Sequence, residues 1–121
     1  MKRVLIAEDN PDTRELMSMA LRDAGFQVEF AHTGLETGSL CRAAVKDLFP
    51  FDLLILDVAM PLHSGREVLR ELRAEGIETK AIFLTGFAPG EIAEDARDLQ
   101  AKIWQKPEAL VDFKQRIEAE L

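Results

Sequence analysis

Cysteine is almost absent from this 121-residue chain, because Cys41 is the only one. A single cysteine cannot form an internal disulfide, and such usage is typical of a reducing compartment, so we expect a cytoplasmic protein. Long apolar stretches are absent as well. Glu8 and Asp9 interrupt the first apolar run soon after Met1, so we expect neither a secretory signal nor a membrane-spanning helix.

Positive charge is in deficit: 15 Lys and Arg stand against 22 Asp and Glu, for a formal net charge of −7. Proteins that bind nucleic acid non-specifically neutralise its phosphates with Lys and Arg, so this composition argues against direct nucleic-acid binding. It argues equally against an anionic membrane surface. The length suits one domain, and no linker or repeat is visible, so we expect a single domain over residues 1–121 with no output domain in this chain.

Strand-like and helix-like segments alternate along the chain. Short apolar runs predict five strands, at residues 4–7, 27–31, 51–57, 81–84 and 102–105. The segments that follow them predict five helices, the second from Leu35 to Leu48 and the fourth from Glu91 to Gln100. Leu16, Met19 and Ala20 recur at helical spacing and form the apolar stripe predicted for the first helix. Such alternation, with short connections, predicts an α/β fold in which a parallel sheet carries helices on both faces.

Polar residues follow four of these strands at their carboxyl ends: Glu8 and Asp9, Asp57, Thr85, and Lys106. Because these ends lie on one edge of a parallel sheet, the side chains can converge. Three carboxylates in one pocket repel unless a cation compensates, and Mg²⁺ or Mn²⁺ prefers such oxygen ligands. A carboxylate nucleophile, a divalent metal, a lysine and a hydroxyl form a workable minimum for phosphoryl transfer.

Each of these residues has a simpler interpretation when it is taken alone. Asp57 could merely cap the turn after its strand, and the Glu8–Asp9 pair could stabilise the dipole of the first helix. The combination of all five residues at neighbouring strand ends favours the chemical interpretation.

Four segments, in order, resemble the receiver domains of two-component response regulators. They are residues 4–10, residues 57–61 with Gly65, residues 84–86 and residues 106–107. Each segment is weak alone, but the ordered set spans the whole chain and is specific. The resemblance implies a flavodoxin-like, five-stranded parallel sheet of order 2-1-3-4-5 with five helices on its two faces.

The resemblance also implies roles for these residues. Asp57 would accept a phosphoryl group from a histidine kinase or phosphotransfer protein, Lys106 would pair with the phosphoryl oxygens, and Thr85 would bond to the phosphoryl group. The ligands implied for Mg²⁺, or alternatively Mn²⁺, are Glu8, Asp9, Asp57 and the backbone carbonyl of Ala59. Such a protein is a signalling switch rather than an enzyme, although it assists its own phosphoryl transfer and dephosphorylation.

The implied partner surface is formed by the fourth helix, the fifth strand and the last helix. It would bind an unidentified downstream protein, and a homodimer is possible. The family usually has an aromatic residue three positions before the lysine, but here Ile103 holds that position. Trp104 follows it and should face the other side of the sheet. The stretch from Gly34 to Asp52 is longer than usual and predicts a longer or irregular second helix. The alternative function is a constitutive protein-interaction module of the same fold.

Overall fold

A computed structural model describes residues 2–60, 63–86, 89–106 and 108–121, so the motif residues Pro61 and Pro107 lie outside the described part. The strands are β1 (Arg3–Ala7), β2 (Gln27–Ala31), β3 (Leu53–Asp57), β4 (Ala81–Thr85) and β5 (Ala101–Gln105). The helices are α1 (Pro11–Asp23), α2 (Gly34–Lys46), α3 (Gly65–Ala74), α4 (Ala93–Asp98), α5 (Glu108–Val111) and α6 (Phe113–Glu120). One turn of 3₁₀ helix (Pro89–Glu91) precedes α4.

The five strands form one parallel sheet in the order β2-β1-β3-β4-β5, which confirms the predicted topology. All residues of β3 and β4 are buried, as expected for inner strands covered on both faces. In the register, Asp57 lies opposite Leu84, and Thr85 lies opposite Gln105. The carboxyl ends of β3, β4 and β5 are therefore aligned along one edge of the sheet.

Alternate side chains of the sheet enter two separate cores. One core lies beneath α2, α3 and α4 and includes Leu54, Leu56 and Phe83. The other lies beneath α1, α5 and α6 and includes Ile55, Ile82 and Trp104. The helices thus cover both faces of the sheet, as the alternating pattern predicts.

The predicted apolar stripe of α1 is wrong for Leu16 and Met19, whereas Ala20 packs against the core as expected. Leu16 and Met19 are 61% and 60% exposed, whereas Met17 and Leu21 are buried against the sheet. Apolar residues occupy both faces of this helix, so spacing alone could not show which set faces the core. The structure leaves Leu16 and Met19 as an exposed apolar pair.

The second helix begins at Gly34, one residue before the predicted start at Leu35, and ends at Lys46, two residues before the predicted end at Leu48. It has 13 residues, the same number as α1, and residues 47–52 separate it from β3. Leu48 lies beyond the helix end with a φ of +60° and is 87% exposed. A left-handed residue ends a helix, and the carbonyl of Val45 accepts the Leu48 N–H there.

The last predicted helix is divided, so the described residues contain six α-helices rather than five. Asp112 interrupts it with φ −118° and ψ 35°, which are not helical values. Ala109, Phe113 and Ile117 still face the core at a spacing of four residues. Because the break preserves this spacing, the apolar pattern did not reveal it. No helix among the described residues is long and apolar enough to cross a bilayer.

Candidate functional site

Backbone hydrogen bonds beyond the regular ladders hold the carboxyl ends of the strands together. The N–H of Glu8 donates to Ala31 O at 3.1 Å. The N–H of Lys106 donates to Thr85 O at 2.7 Å, which ties the end of β5 to the end of β4. Glu8 and Lys106 each lie one residue beyond the end of a strand. These hydrogen bonds therefore keep both residues in line with the neighbouring strands.

Three carboxylates meet at this edge. Oxygen atoms of Glu8, Asp9 and Asp57 lie within 4.8 Å of one another. Glu8 and Asp57 are buried, whereas Asp9 is exposed. A group of hard oxygen donors that is open to solvent on one side fits Mg²⁺, which keeps several of its waters. The donor set therefore fits the ion that the sequence implies.

Lys106 is the cation that faces these carboxylates. Its Nζ lies 3.0 Å from Glu8 Oε2 and 3.1 Å from Asp57 Oδ2. Burial alone would lower the pKa of Lys106, but its bonds to Glu8 and Asp57 outweigh this effect and raise that pKa. The lysine is thus held as a charged donor between the two buried acids.

The negative charge of the cluster is only partly compensated. Burial, followed by repulsion from Asp57, raises the pKa of Glu8 above its usual value, although Lys106 acts in the opposite direction. A raised carboxyl pKa means that the pocket disfavours full ionisation. A divalent cation would relieve this repulsion.

Both oxygens of Asp57 have protein donors. Oδ2 contacts Lys106, and Oδ1 accepts the N–H of Ala59 at 3.0 Å. Ala59 is exposed in the loop after β3, and the role of its carbonyl as a metal ligand stays a prediction. Thr85 is fully buried at the end of β4. The structure thus brings the predicted residues to one edge of the sheet.

Gly65 allows the first residue of α3 to pack closely against the backbone of β3, because glycine has no Cβ. A Cβ at this position would lie 2.6 Å from the carbonyl oxygen of Asp57 and 3.3 Å from Leu56 Cβ. Ser64 caps the helix, accepting the N–H of Glu67 at 3.2 Å. The close approach sets the path of the chain directly behind Asp57.

Arg14 is a site residue that the sequence did not single out. It lies in the first turns of α1, and its Nη1 donates to Glu8 O at 3.0 Å. The available signal was its position six residues after Glu8, at the start of the helix that follows the acidic pair. That signal was too weak to separate it from other surface arginines.

Ile103 and Trp104 face opposite sides of the sheet, as predicted. Ile103 packs against the core beneath α2, α3 and α4. Trp104 meets Phe113 edge-to-face, with ring centroids 6.2 Å apart, and the Arg116 guanidinium lies 5.6 Å from the Trp104 ring centroid. Trp104 therefore packs beneath α6 and does not replace the missing aromatic residue.

Comparison with known proteins agrees with this geometry. The profile of the response regulator receiver domain matches residues 4–118. The chain belongs to this family. Receiver domains are signalling domains of two-component systems, and this one carries an acidic pocket at its strand ends.

Two curated relatives illustrate the range of proteins that this receiver resembles. The response regulator receiver protein CpdR of Brucella abortus is 36% identical over 98% of this chain and 95% of its own length. The transcriptional regulatory protein TrcR of Mycobacterium tuberculosis is 39% identical over 69% of this chain, but that match covers only 30% of TrcR. The receiver thus resembles both a protein of its own length and one segment of a longer regulator.

Solved receiver structures share the fold over their whole length. Chemotaxis protein CheY4 of Vibrio cholerae is 28% identical, with a TM-score of 0.85 over 100% of this chain and 99% of that chain. TrrA of Thermotoga maritima, solved in complex with Mg²⁺-BeF, is 29% identical, with a TM-score of 0.75 over 100% of both chains.

Proposed function

We propose that this receiver is a phosphorylation-dependent switch in which Asp57 accepts a phosphoryl group. The observation that carries the proposal is the setting of Asp57. It is buried at the end of a central strand, bonded through Oδ2 to Lys106, and part of a cluster of three carboxylates. A structural aspartate that only capped a turn would not need two further carboxylates nearby.

Glu8, Asp9 and Asp57 would hold Mg²⁺, with Mn²⁺ as a substitute, and the bound ion would neutralise charge on the phosphoryl oxygens. A carboxylate oxygen of Asp57 attacks phosphorus of a phosphohistidine, an O–P bond forms, and the P–N bond to the donor imidazole breaks. Lys106 orients the attacking carboxylate beforehand and then pairs with the transferred oxygens. Transfer of this kind depends mainly on positioning and charge neutralisation.

The donor would be a histidine kinase or a phosphotransfer protein. The acceptor of the signal would be a downstream protein that binds the surface formed by α4, β5, α5 and α6. Val111 on α5 is 88% exposed and offers this surface an apolar contact. The same surface could join two copies of the chain. Added negative charge at Asp57 would bias this surface between two arrangements.

Arginines on α3 connect the site to α4. Arg66 and Arg70 both contact Asp95, at 3.1 Å and 2.9 Å, and Arg73 donates to Leu99 O at 2.9 Å. Arg66 directly follows Gly65, which packs on the backbone of Asp57. A shift of α4 relative to α3 would have to break these contacts. With Ile103 in place of the usual aromatic residue, we infer that they set part of the cost of switching.

Asp95→Asn is therefore expected to tighten binding of Mg²⁺-beryllofluoride, a phosphoryl mimic, by about twofold to tenfold. Exposed ion pairs contribute about 0.2–1 kcal/mol each, and their loss lowers the cost of leaving the unmodified arrangement. Glu75→Gln is the matched control, because Glu75 pairs with Arg42 at 2.8 Å and joins α2 to α3 instead. Unchanged or weaker mimic binding by the Asp95 variant, measured by titration, would remove α4 from the mechanism.

A constitutive interaction module is the second candidate, and Ile103 is the observation that favours it. The two functions differ in their response to the mimic. A titration with Mg²⁺-beryllofluoride, followed by two-dimensional NMR, should shift resonances in α4 and β5 as well as at the site. Asp57→Asn should abolish those shifts. Saturable binding without changes beyond the pocket would favour the constitutive module, and no binding would end the switch proposal.

A further inference from the structure

Arg14 joins the first turns of α1 to the end of β1. Its Nη1 donates to Glu8 O at 3.0 Å, while its own backbone N–H donates to Asn10 O at 3.0 Å. The side chain is half-buried. The Arg14 guanidinium, which extends from α1, thus fixes the carbonyl group of the Glu8–Asp9 peptide by a hydrogen bond.

Asp9 depends on this peptide for its orientation. It is the exposed member of the carboxylate cluster, and within the described ranges its side chain has no hydrogen bond or ion pair. The backbone on either side therefore sets the direction of its Cα–Cβ bond, from which the carboxylate extends towards the cluster. On the far side, Asn10 is fixed, because its N–H donates to Glu8 Oε1 and its Oδ1 accepts the N–H of Asp12 at 2.9 Å. On the near side, Arg14 is the side chain that holds the peptide.

We propose that Arg14 is a positioning residue for the divalent cation. By fixing the Glu8–Asp9 peptide, it aims the Asp9 carboxylate at the space shared with Asp57. The inference rests on the proposed function, since it requires that this cluster takes Mg²⁺. Arg14 would not contact the ion itself. Its role would be to orient the residues that do.

Charge and orientation predict opposite effects for the loss of Arg14. A positive charge near the cluster repels a cation, so its removal alone would tighten Mg²⁺ binding. At a solvated edge this repulsion is screened and is worth about a few-fold in affinity. Loss of a residue that orients metal ligands typically weakens binding by about 10- to 100-fold. Orientation should therefore prevail, and the sign of the change identifies the role.

The test is a Mg²⁺ titration by isothermal calorimetry of the wild type, Arg14→Met, Arg14→Lys and Arg22→Met. We expect about 10- to 100-fold weaker binding for Arg14→Met. Arg14→Lys keeps the charge but loses the planar donor, so it should also bind more weakly than the wild type. Arg22, in the last turn of α1, is the matched control and should bind Mg²⁺ normally. Metal-free thermal unfolding of each variant separates folding from binding.

The possible outcomes distinguish failure of the metal site from failure of the role assigned to Arg14. If the wild type binds Mg²⁺ and the Arg14→Met variant binds it equally well or more tightly, the role of Arg14 is wrong while the metal site stands. If Arg14→Met does not fold, Arg14→Lys decides on the same criterion. If the wild type binds no Mg²⁺ at millimolar concentration, both the metal site and the role of Arg14 are overturned.

Discussion

Lys106→Met should change the affinities of the pocket for a metal ion and for a phosphoryl mimic in opposite directions. Lys106 occupies oxygens of Glu8 and Asp57 that would otherwise be available to a cation. Its removal should tighten binding of Mg²⁺ alone by about tenfold, because a competing charge is lost. Binding of Mg²⁺-beryllofluoride should weaken by about 10- to 100-fold, because a charged hydrogen bond of about 1.5–3 kcal/mol is lost.

Calorimetric titrations with each ligand check this prediction. Lys102→Met is the matched control, since Lys102 lies on the same strand but pairs with Glu120 at 2.6 Å on the surface. That variant should behave like the wild type with both ligands. Parallel losses of both affinities in Lys106→Met would indicate a damaged pocket and would contradict the assigned role.

The same variant should alter how stability depends on pH in the absence of metal. Burial and Asp57 already raise the pKa of Glu8, and the loss of Lys106 removes the interactions that oppose them. A carboxyl group whose folded pKa lies above its unfolded value favours the folded state when protonated. The stability deficit of the variant should therefore shrink as the pH falls through the folded pKa of Glu8 towards 4.5, its unperturbed value. Urea unfolding of the wild type and of Lys106→Met at a series of pH values measures this stability deficit.

Wild-type Lys106 has the opposite signature. Its folded pKa is raised above 10.5, so its contribution to stability is fully present below the unfolded pKa. That contribution is lost only as the pH rises through the folded pKa, in the alkaline range. At acidic and neutral pH the lysine should stay charged, so the pH dependence of the stability difference between wild type and variant should report the ionisation of Glu8.

Gly65→Ala should disturb both stability and the acceptor position. The added Cβ would meet the carbonyl oxygen of Asp57 at 2.6 Å, and this backbone atom can move only if β3 or α3 moves. Overpacking of this kind costs about 1–3 kcal/mol. We expect a clear fall in melting temperature, together with weaker mimic binding, because the displaced backbone carries Asp57.

Gly90→Ala is the control for Gly65→Ala. Among the described residues other than its chain neighbours, no heavy atom lies within 4 Å of a Cβ added at Gly90, and the φ of Gly90 lies outside the left-handed region. It should leave both melting temperature and mimic binding close to those of the wild type. A Gly65→Ala protein with unchanged mimic affinity would show that the close approach to Asp57 is not needed at the site.

The sheet and the meeting of the acidic residues could be predicted from the sequence for a simple reason. Apolar runs such as Leu53–Asp57 are buried on both faces, and parallel strands align their carboxyl ends. Polar residues that directly follow those runs must then share one edge. The convergence of these residues follows from the order of the segments alone and does not change if a strand boundary moves by one or two residues.

Two kinds of detail could not be predicted: which face of a helix is buried, and where the local backbone geometry departs from a regular helix. In α1, two apolar sets compete for the core, and helical spacing does not favour Met17 over Leu16. The break at Asp112 keeps the spacing of the buried residues, so it leaves no trace in the pattern. The contact of Arg14 with Glu8 O depends on the entry angle of a helix, which spacing does not determine.

Transfer of phosphate to Asp57 is the central claim, and mass spectrometry tests it most directly. The protein is incubated with Mg²⁺ and a small-molecule phosphodonor, and its intact mass is measured with and without a metal chelator. The wild type should gain the mass of one phosphoryl group in a Mg²⁺-dependent manner, and Asp57→Asn should gain none. An unmodified wild type under every donor, or equal modification of the Asp57→Asn variant, would contradict the claim.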